Sequence, residues 1–385
     1  MQTLGLSNSE RNKFHRALRS SHTRRVVVSV TNLEGNTLSV VSHRLLDGQV
    51  LVDMDADVTR SATLSLLDRK HSLNFDTDSP DDGALYADRM IRIEIEILVE
   101  DLGRHVSVPV FHGPVTKLDR KGDVVDIECQ GKESLALGAV WRPITLKKGT
   151  KKTDAIRTLM SERAGETRFA FPTLTARLPK AVTLDRYSPV WASARKIASG
   201  MNRQLYYTAG GVLKLRAVPD RPVFTFKTGT GGDILSDVAI SNLMEDVKNV
   251  VVVKGGKPKG AKNAVRATAV AEDSHPLSPR RLGRNGVPRY LVELVENESI
   301  RTDADARERA KQILRDRLRS TVEVTFDALP IPHLDAGDLV RVETDDASFE
   351  FRLRQFSIPL GVSGDPVMSV GYHRRTTVNR RRIRR

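Results

Sequence analysis

Between residues 91 and 97 the chain alternates without exception: Ile91, Ile93, Ile95 and Ile97 are separated by Arg92, Glu94 and Glu96. A period of two sends every isoleucine to one face of an extended strand and every charge to the other, whereas a helix would scatter the isoleucines around its axis. The segment is therefore a half-buried antiparallel strand. The same alternation runs through VSVPVF at 106–111 and around Val125 and Ile127. With VVVSV, TLSVV and RSATLSLLD, these runs predict one β-domain over 26–135, a barrel or sandwich of seven or eight short strands.

The rest of the chain divides by pattern. Phe14 and Leu18, four apart among Arg11, Lys13, Arg16 and Arg19, predict a basic N-terminal helix or arm within 1–25. Residues 136–221 read as a small α/β middle module. In its second helix Ser188 is expected to cap, Pro189 to start and Gly200 to stop. Val190, Trp191, Ala194, Ile197 and Ala198 make one core-facing stripe. LYYTAGGVLKL then predicts a hairpin through Gly210 and Gly211.

A second β-rich domain is expected over 222–373. It holds NVVVV at 249–253, a mobile basic loop at 254–289 and a helix at 302–319, opened by a capping box of Thr302 and Asp305. Ala306, Ala310, Ile313, Leu314 and Leu318 point that helix inward. Val322, Val324 and Phe326, then Phe349, Phe351 and Leu353, return the chain to strand alternation. Residues 374–385 form an arginine-rich tail. The fold class is α+β, mainly antiparallel β.

Charge and composition exclude several functions. No stretch approaches the roughly 18 to 20 apolar residues of a membrane span. The polar, basic start shows no secretion signal, which points to a protein assembled in a cytoplasm. A lone Cys129 in DVVDIEC reads as a small buried hydrophobe. Net charge is +14, from 62 Lys/Arg and 48 Asp/Glu. Residues 254–289 carry nine Lys/Arg against two acids, and 374–385 carry seven Arg and no acid, so the remainder sums to zero. That sum predicts an electrostatically ordinary body bearing two basic contact segments, with Lys254, Lys257, Lys259, Lys262, Arg374, Arg375, Arg380, Arg381, Arg382, Arg384 and Arg385 as the candidate contact residues.

No catalytic, cofactor or metal site is expected. GGKPKGAK at 255–262 follows a strand as a phosphate loop should, yet its lysine falls one place late and no Ser or Thr follows. DMDAD lacks an EF-hand's glycine and glutamate, with Val58 and Leu64 in those places, so Asp53, Asp55 and Asp57 read as a solvated strand edge or turn. The acidic turn at Asp78, Asp81 and Asp82 could hold a calcium ion in a loose loop, but surface turns rich in Asp and Pro are common. The nine histidines show no i, i+4 pair, and there is no G-x-S-x-G elbow. A nucleic-acid-binding protein and a cell-wall hydrolase are the alternatives, one resting on the basic segments and the other on unplaced carboxylates.

Four stretches carry a resemblance: LLDGQVLVDMDADVTRSATLSLLD with YADRMIRIEIEI and VFHGPVTKL; PVWASARKIASGMNRQLYYTAGGVLKLRAVPD; NVVVVKG; and ADARERAKQILRDRLRSTVEVTFDALPIPHLDAGDLVRVE. In this order they resemble the hub or minor tail proteins at the distal end of bacteriophage tails. The likeness spans most of 26–373. It implies two tube-like β-barrel domains in one chain and a homotrimer presenting a pseudo-sixfold ring to the distal tail protein. Tape measure and fibre or spike proteins are the other implied partners, with phage DNA passing through the lumen. It also implies a structural, non-enzymatic role in host cell entry at the virion's tail tip, with no cofactor. The basic loop and tail are not family features.

Overall fold

A computed structural model of the chain describes residues 1–73, 85, 89–138, 140–242, 247–258, 260–318, 322–345, 347–361, 367–371 and 381–382. It is mostly antiparallel β-sheet with a few helices, the α+β class expected.

Among the described residues seven strands lie between residues 24 and 130: Arg24–Thr31, Thr37–Val40, Leu45–Asp53, Arg60–Leu67, Met90–Val99, Arg104–Lys121 and Val124–Gln130. In Met90–Val99 the alternation is realised residue by residue. Ile91, Ile93, Ile95 and Ile97 are each at most 1% exposed, while Arg92, Glu94 and Glu96 keep contact with water. Each such side chain contributes about 1.5–3 kcal/mol on burial. The 18-residue strand Arg104–Lys121 pairs first with Met90–Val99 and then with Val124–Gln130, with bulges at Ile93/Glu94 and Val115/Lys117. It thereby bends from one part of the sheet to the next. Gly113 sits at the bend, where an added Cβ would lie 2.0 Å from the Gln130 carbonyl oxygen.

The late strands complete the same sheet. Its eleven strands run Ala239–Asn242, Val322–Ala328, Met368–Gly371, Gln355–Pro359, Leu45–Asp53, Arg60–Leu67, Val124–Gln130, Arg104–Lys121, Met90–Val99, Arg24–Thr31, Thr37–Val40. The seam is Gln355–Pro359 against Leu45–Asp53, with Phe356 opposite Val52. One buried cluster correspondingly spans Val28 and Ile95 at one end and Phe326 and Val370 at the other. A chain of edge-on rings, Phe224, Phe226, Phe326 and Phe351, has centroid spacings of 4.8, 5.2 and 6.4 Å. The N-terminal helix Asn8–Leu18 is part of this core and not a free arm: Phe14 is fully buried and Leu18 is 4% exposed.

The middle module has its own core. Helices Lys152–Ala164 and Val190–Ser199 pack on the hairpin Arg203–Tyr207 and Leu213–Ala217, and Trp191 stacks on Tyr207 at 6.0 Å. The Gly210–Gly211 turn is as predicted; Gly211 has φ +73°, and a Cβ there would meet His112 Nδ1 at 2.4 Å. The expected Ser188 cap is not. Pro189 occupies the cap position without a side-chain bond, and the Ser188 amide donates instead to the Asp185 carbonyl, because the chain turns one residue earlier.

Residues 254–289 are not simply a mobile loop. Lys254 lies within strand Val250–Gly255, which pairs with Arg266–Val270 and, in parallel, with Val292–Asn297; the short helix Pro279–Leu282 follows a Ser278 cap. The valine run supplies a buried face, Val251 and Val253, which pulls the segment into a sheet. Helix Asp303–Leu318 covers that face with Ala306, Ala310 and Leu314, and the Asp305 amide donates to Thr302 Oγ1 at 3.1 Å.

Candidate functional site

Of the predicted contact residues, Lys254, Lys257 and Lys262 have described side chains. Lys254 is exposed on its strand, 2.9 Å from Glu296. Lys257 and Lys262 are exposed in the turn beyond it, where the Lys257 carbonyl accepts from Arg301. The Arg381–Arg382 backbone adds a two-residue strand beside Ser348 and Ala347. Lys259, Arg374, Arg375, Arg380, Arg384 and Arg385 lie outside the described residues, as does the acidic turn at Asp78, Asp81 and Asp82. Asp53, Asp55 and Asp57 form a turn rather than a ligand set: Asp53 Oδ1 accepts the Asp55 amide at 2.8 Å, Asp55 pairs with Arg354, and Asp57 lies 3.5 Å from Arg195. Among the described residues no three His, Cys, Asp or Glu side chains gather where a metal ion could be held. Cys129 is 1% exposed, and burial pushes its thiol pKa far up. Such a thiol is inert.

The strongest chemistry lies where the middle module meets the large sheet. Arg60, 3% exposed, holds Asp335 at 2.5 Å, and Tyr206 donates its hydroxyl to the other Asp335 oxygen at 3.2 Å. Arg216 lies 4.6 Å from the Tyr206 ring centroid and 3.0 Å from Asp338. Asp338 also pairs with the N-terminal amine and accepts the Asp335 amide. Burial alone would raise the Asp335 pKa; the Arg60 and Arg216 guanidiniums outweigh it and hold the pKa below the usual carboxylate range. A few residues away in space, Lys132 pairs with buried Glu166, whose other oxygen accepts the Thr167 and Arg168 amides. Arg168 Nη2 reaches His112 Nδ1 at 3.1 Å, and His112 Nε2 meets Thr31 Oγ1 at 3.0 Å.

An arginine donating to Nδ1 leaves the His112 proton on Nε2, so the ring is neutral. Burial first, then Arg168, Lys132 and Arg92, lower its pKa to about 3. Buried pairs like these cost desolvation and repay it through geometry, so the junction acts as a lock that fixes module against sheet. A small cavity of about 250 Å³, lined by Thr59, Tyr206, Gln204 and Gly337 among others, adjoins it. Sequence reasoning missed the junction because Arg60 and Asp335 stand 275 positions apart.

The charge balance of the body is also more structured than its zero sum. Residues 136–221 hold seventeen Lys/Arg against five Asp/Glu, and residues 26–135 hold eleven against twenty. The two excesses, +12 and −9, largely offset each other in the total and so concealed a basic module docked on an acidic β-segment. Among the described residues no helix is long and apolar enough to cross a membrane.

Neither a protein-family model nor a curated protein matches the sequence. Solved structures do. A tail protein from Neisseria meningitidis aligns over 90% of this chain and 96% of its own, with TM-score 0.58 and 13% identity. The 43 kDa tail protein of prophage MuSo2 from Shewanella oneidensis aligns over 91% and 98%, with TM-score 0.59 and 11% identity. A chain of the Francisella PdpA-VgrG complex aligns over 94% of this chain but 60% of that one, with TM-score 0.50 and 10% identity. The likeness is one of fold.

Proposed function

We propose that the chain is a structural protein of a phage-type tail, positioned as a hub at the tail tip. The observation that carries this reading is co-extension: the alignments with the Neisseria and Shewanella tail proteins cover at least 90% of this chain and 96% of each of those, so the likeness extends beyond any one part of the chain. A fold alone does not give function. Here the reading is supported by buried ion pairs that tie segments distant in sequence to one another.

In this role two tube-like β-barrels per chain, repeated in a homotrimer, form a pseudo-sixfold ring around a lumen through which DNA is ejected. The ring joins the distal tail protein and tape measure protein to fibres or a spike, and no reaction is carried out. The Arg374–Arg385 tail and the Lys254–Lys262 turn are contact segments for acidic protein or for DNA near the lumen. Quantitative mass spectrometry of purified particles tests the reading: about three copies per particle are expected for a C3 hub. Absence from particles, or a copy number in the hundreds, would contradict it. Deleting residues 374–385 is expected to impair assembly or infectivity; normal particles with normal titre would remove the tail's proposed role.

A further inference from the structure

Strand Ile144–Leu146 pairs antiparallel with Val182–Leu184, Ile144 opposite Leu184. Residues 141–143 and 185–187 therefore emerge together at one end of this two-stranded ribbon. Trp141 is 78% exposed there and Tyr187 79%, the two most exposed large hydrophobic side chains among the described residues. The Arg186 guanidinium lies 5.5 Å from the Trp141 ring centroid. With Arg142, Glu162 and Arg163 these side chains line a cleft of about 780 Å³.

Two features set the cleft apart from ordinary surface. Tyr187 is held at φ +79°, a left-handed conformation that a bulky residue rarely adopts, and its ring gains no burial in return. Uncompensated backbone strain collects at contact and switch sites. The side chains are also the types that dominate protein interfaces, Trp, Tyr and Arg. Three guanidiniums face one carboxylate, on a module with seventeen basic residues against five acidic.

We propose that this cleft receives the acidic outer face of residues 26–135 from a second copy of the chain, a contact that rests on the ring-forming reading above. Charge complementarity selects the occupant. Residues 26–135 carry twenty acids against eleven bases; Asp47, Asp126 and Asp119 are exposed in a row that crosses the sheet through Ser65, and Glu128 is exposed beside Lys117, which pairs with both Asp119 and Glu128. A chain that exposes a basic cleft and an acidic sheet face can associate head to tail, and such heterologous contacts close into rings when the rotation allows. Single-stranded nucleic acid fits less well: it needs successive stacking platforms along a basic groove, and here a single aromatic pair shares its wall with Glu162.

Sedimentation velocity of the full chain across a concentration series, at low and raised salt, reads the contact. The native chain is expected to assemble, more weakly as salt rises. Trp141→Ala with Tyr187→Ala, and separately Arg142→Glu with Arg186→Glu, should each lower the association constant by about thirtyfold or more with the monomer's melting temperature not lowered. Asp126→Lys with Glu128→Lys should fail alone and form open head-to-tail pairs when mixed with the Arg142→Glu, Arg186→Glu chain, since two charge-reversed chains cannot alternate around a three-membered ring. Variants that assemble like the native chain overturn this contact and leave the ring reading standing. A native chain that is monomeric throughout removes both. If the cleft variants abolish binding of a single-stranded oligonucleotide without altering assembly, the cleft belongs to nucleic acid and the proposal fails.

Discussion

At the scale of single residues the informative groups are charged and buried. Arg60 and Asp335 are each at most 3% exposed and depend on each other. Removing one partner leaves an unpaired buried charge, so Asp335→Ala should cost about 3–5 kcal/mol in denaturant unfolding. A loss below about 1 kcal/mol would show that the junction is not a lock. His112 gives a pH dependence whose sign follows from its depressed pKa, about 3 when folded against 6.5 free. Below pH 6.5 the unfolded chain takes up a proton that the folded chain refuses, so this contribution is full above 6.5 and is lost as pH falls toward 3. Near pH 5 the loss amounts to about 2 kcal/mol. His333 and His15 add to it in the same direction: burial leads in both, followed for His333 by His15 and the N-terminal amine, and for His15 by Arg19. His112→Gln should flatten the acid limb of the stability profile; an unchanged limb would contradict the assignment. Tyr187 provides the converse case. Tyr187→Gly removes a left-handed side chain worth about 1–2 kcal/mol of strain, so it should raise the melting temperature while weakening self-association.

At the scale of elements, alternation was readable wherever one face of a strand is buried and the other wet. Ile91 to Ile97, Val125 with Ile127, and Val324 with Phe326 all point inward as their spacing requires. The Trp191 stripe, the Gly210–Gly211 turn and the Ala306–Leu314 face were legible for the same reason: local sequence decides them. Capping at Ser188 was not, since whether a serine caps depends on where the chain enters the helix, and here an Asp185 turn takes its amide. Nor was the bend in Arg104–Lys121, which rests on a backbone contact. Gly113→Ala should cost more than about 3 kcal/mol, because its Cβ would stand 2.0 Å from a carbonyl oxygen that belongs to the paired strand. Gly103→Ala, with open space but φ +61°, should cost only about 1 kcal/mol. Equal costs in a denaturation series would remove the close-approach account.

At the scale of the whole molecule, pairing distant in sequence decides what local pattern leaves open. The seam between Gln355–Pro359 and Leu45–Asp53 joins early and late strands into one sheet, and the ionic junction fixes the middle module against it. Neither partner of such a pair announces the other in the sequence. The charge map shows the same lesson in another form: a zero sum over the body hid a basic module beside an acidic β-segment. The aromatic cleft was missed because Trp141 and Tyr187 sit outside any periodic run, although counting charge by segment would have marked the module that carries them. What unites these features is a frame whose segments are tied together by pairings distant in sequence. Gold labelling of purified tailed particles with an antibody against this chain tests that account most directly. Label confined to the distal end of the tail is the predicted result; label along the tail shaft or on the head, or none on intact and disrupted particles alike, would contradict it.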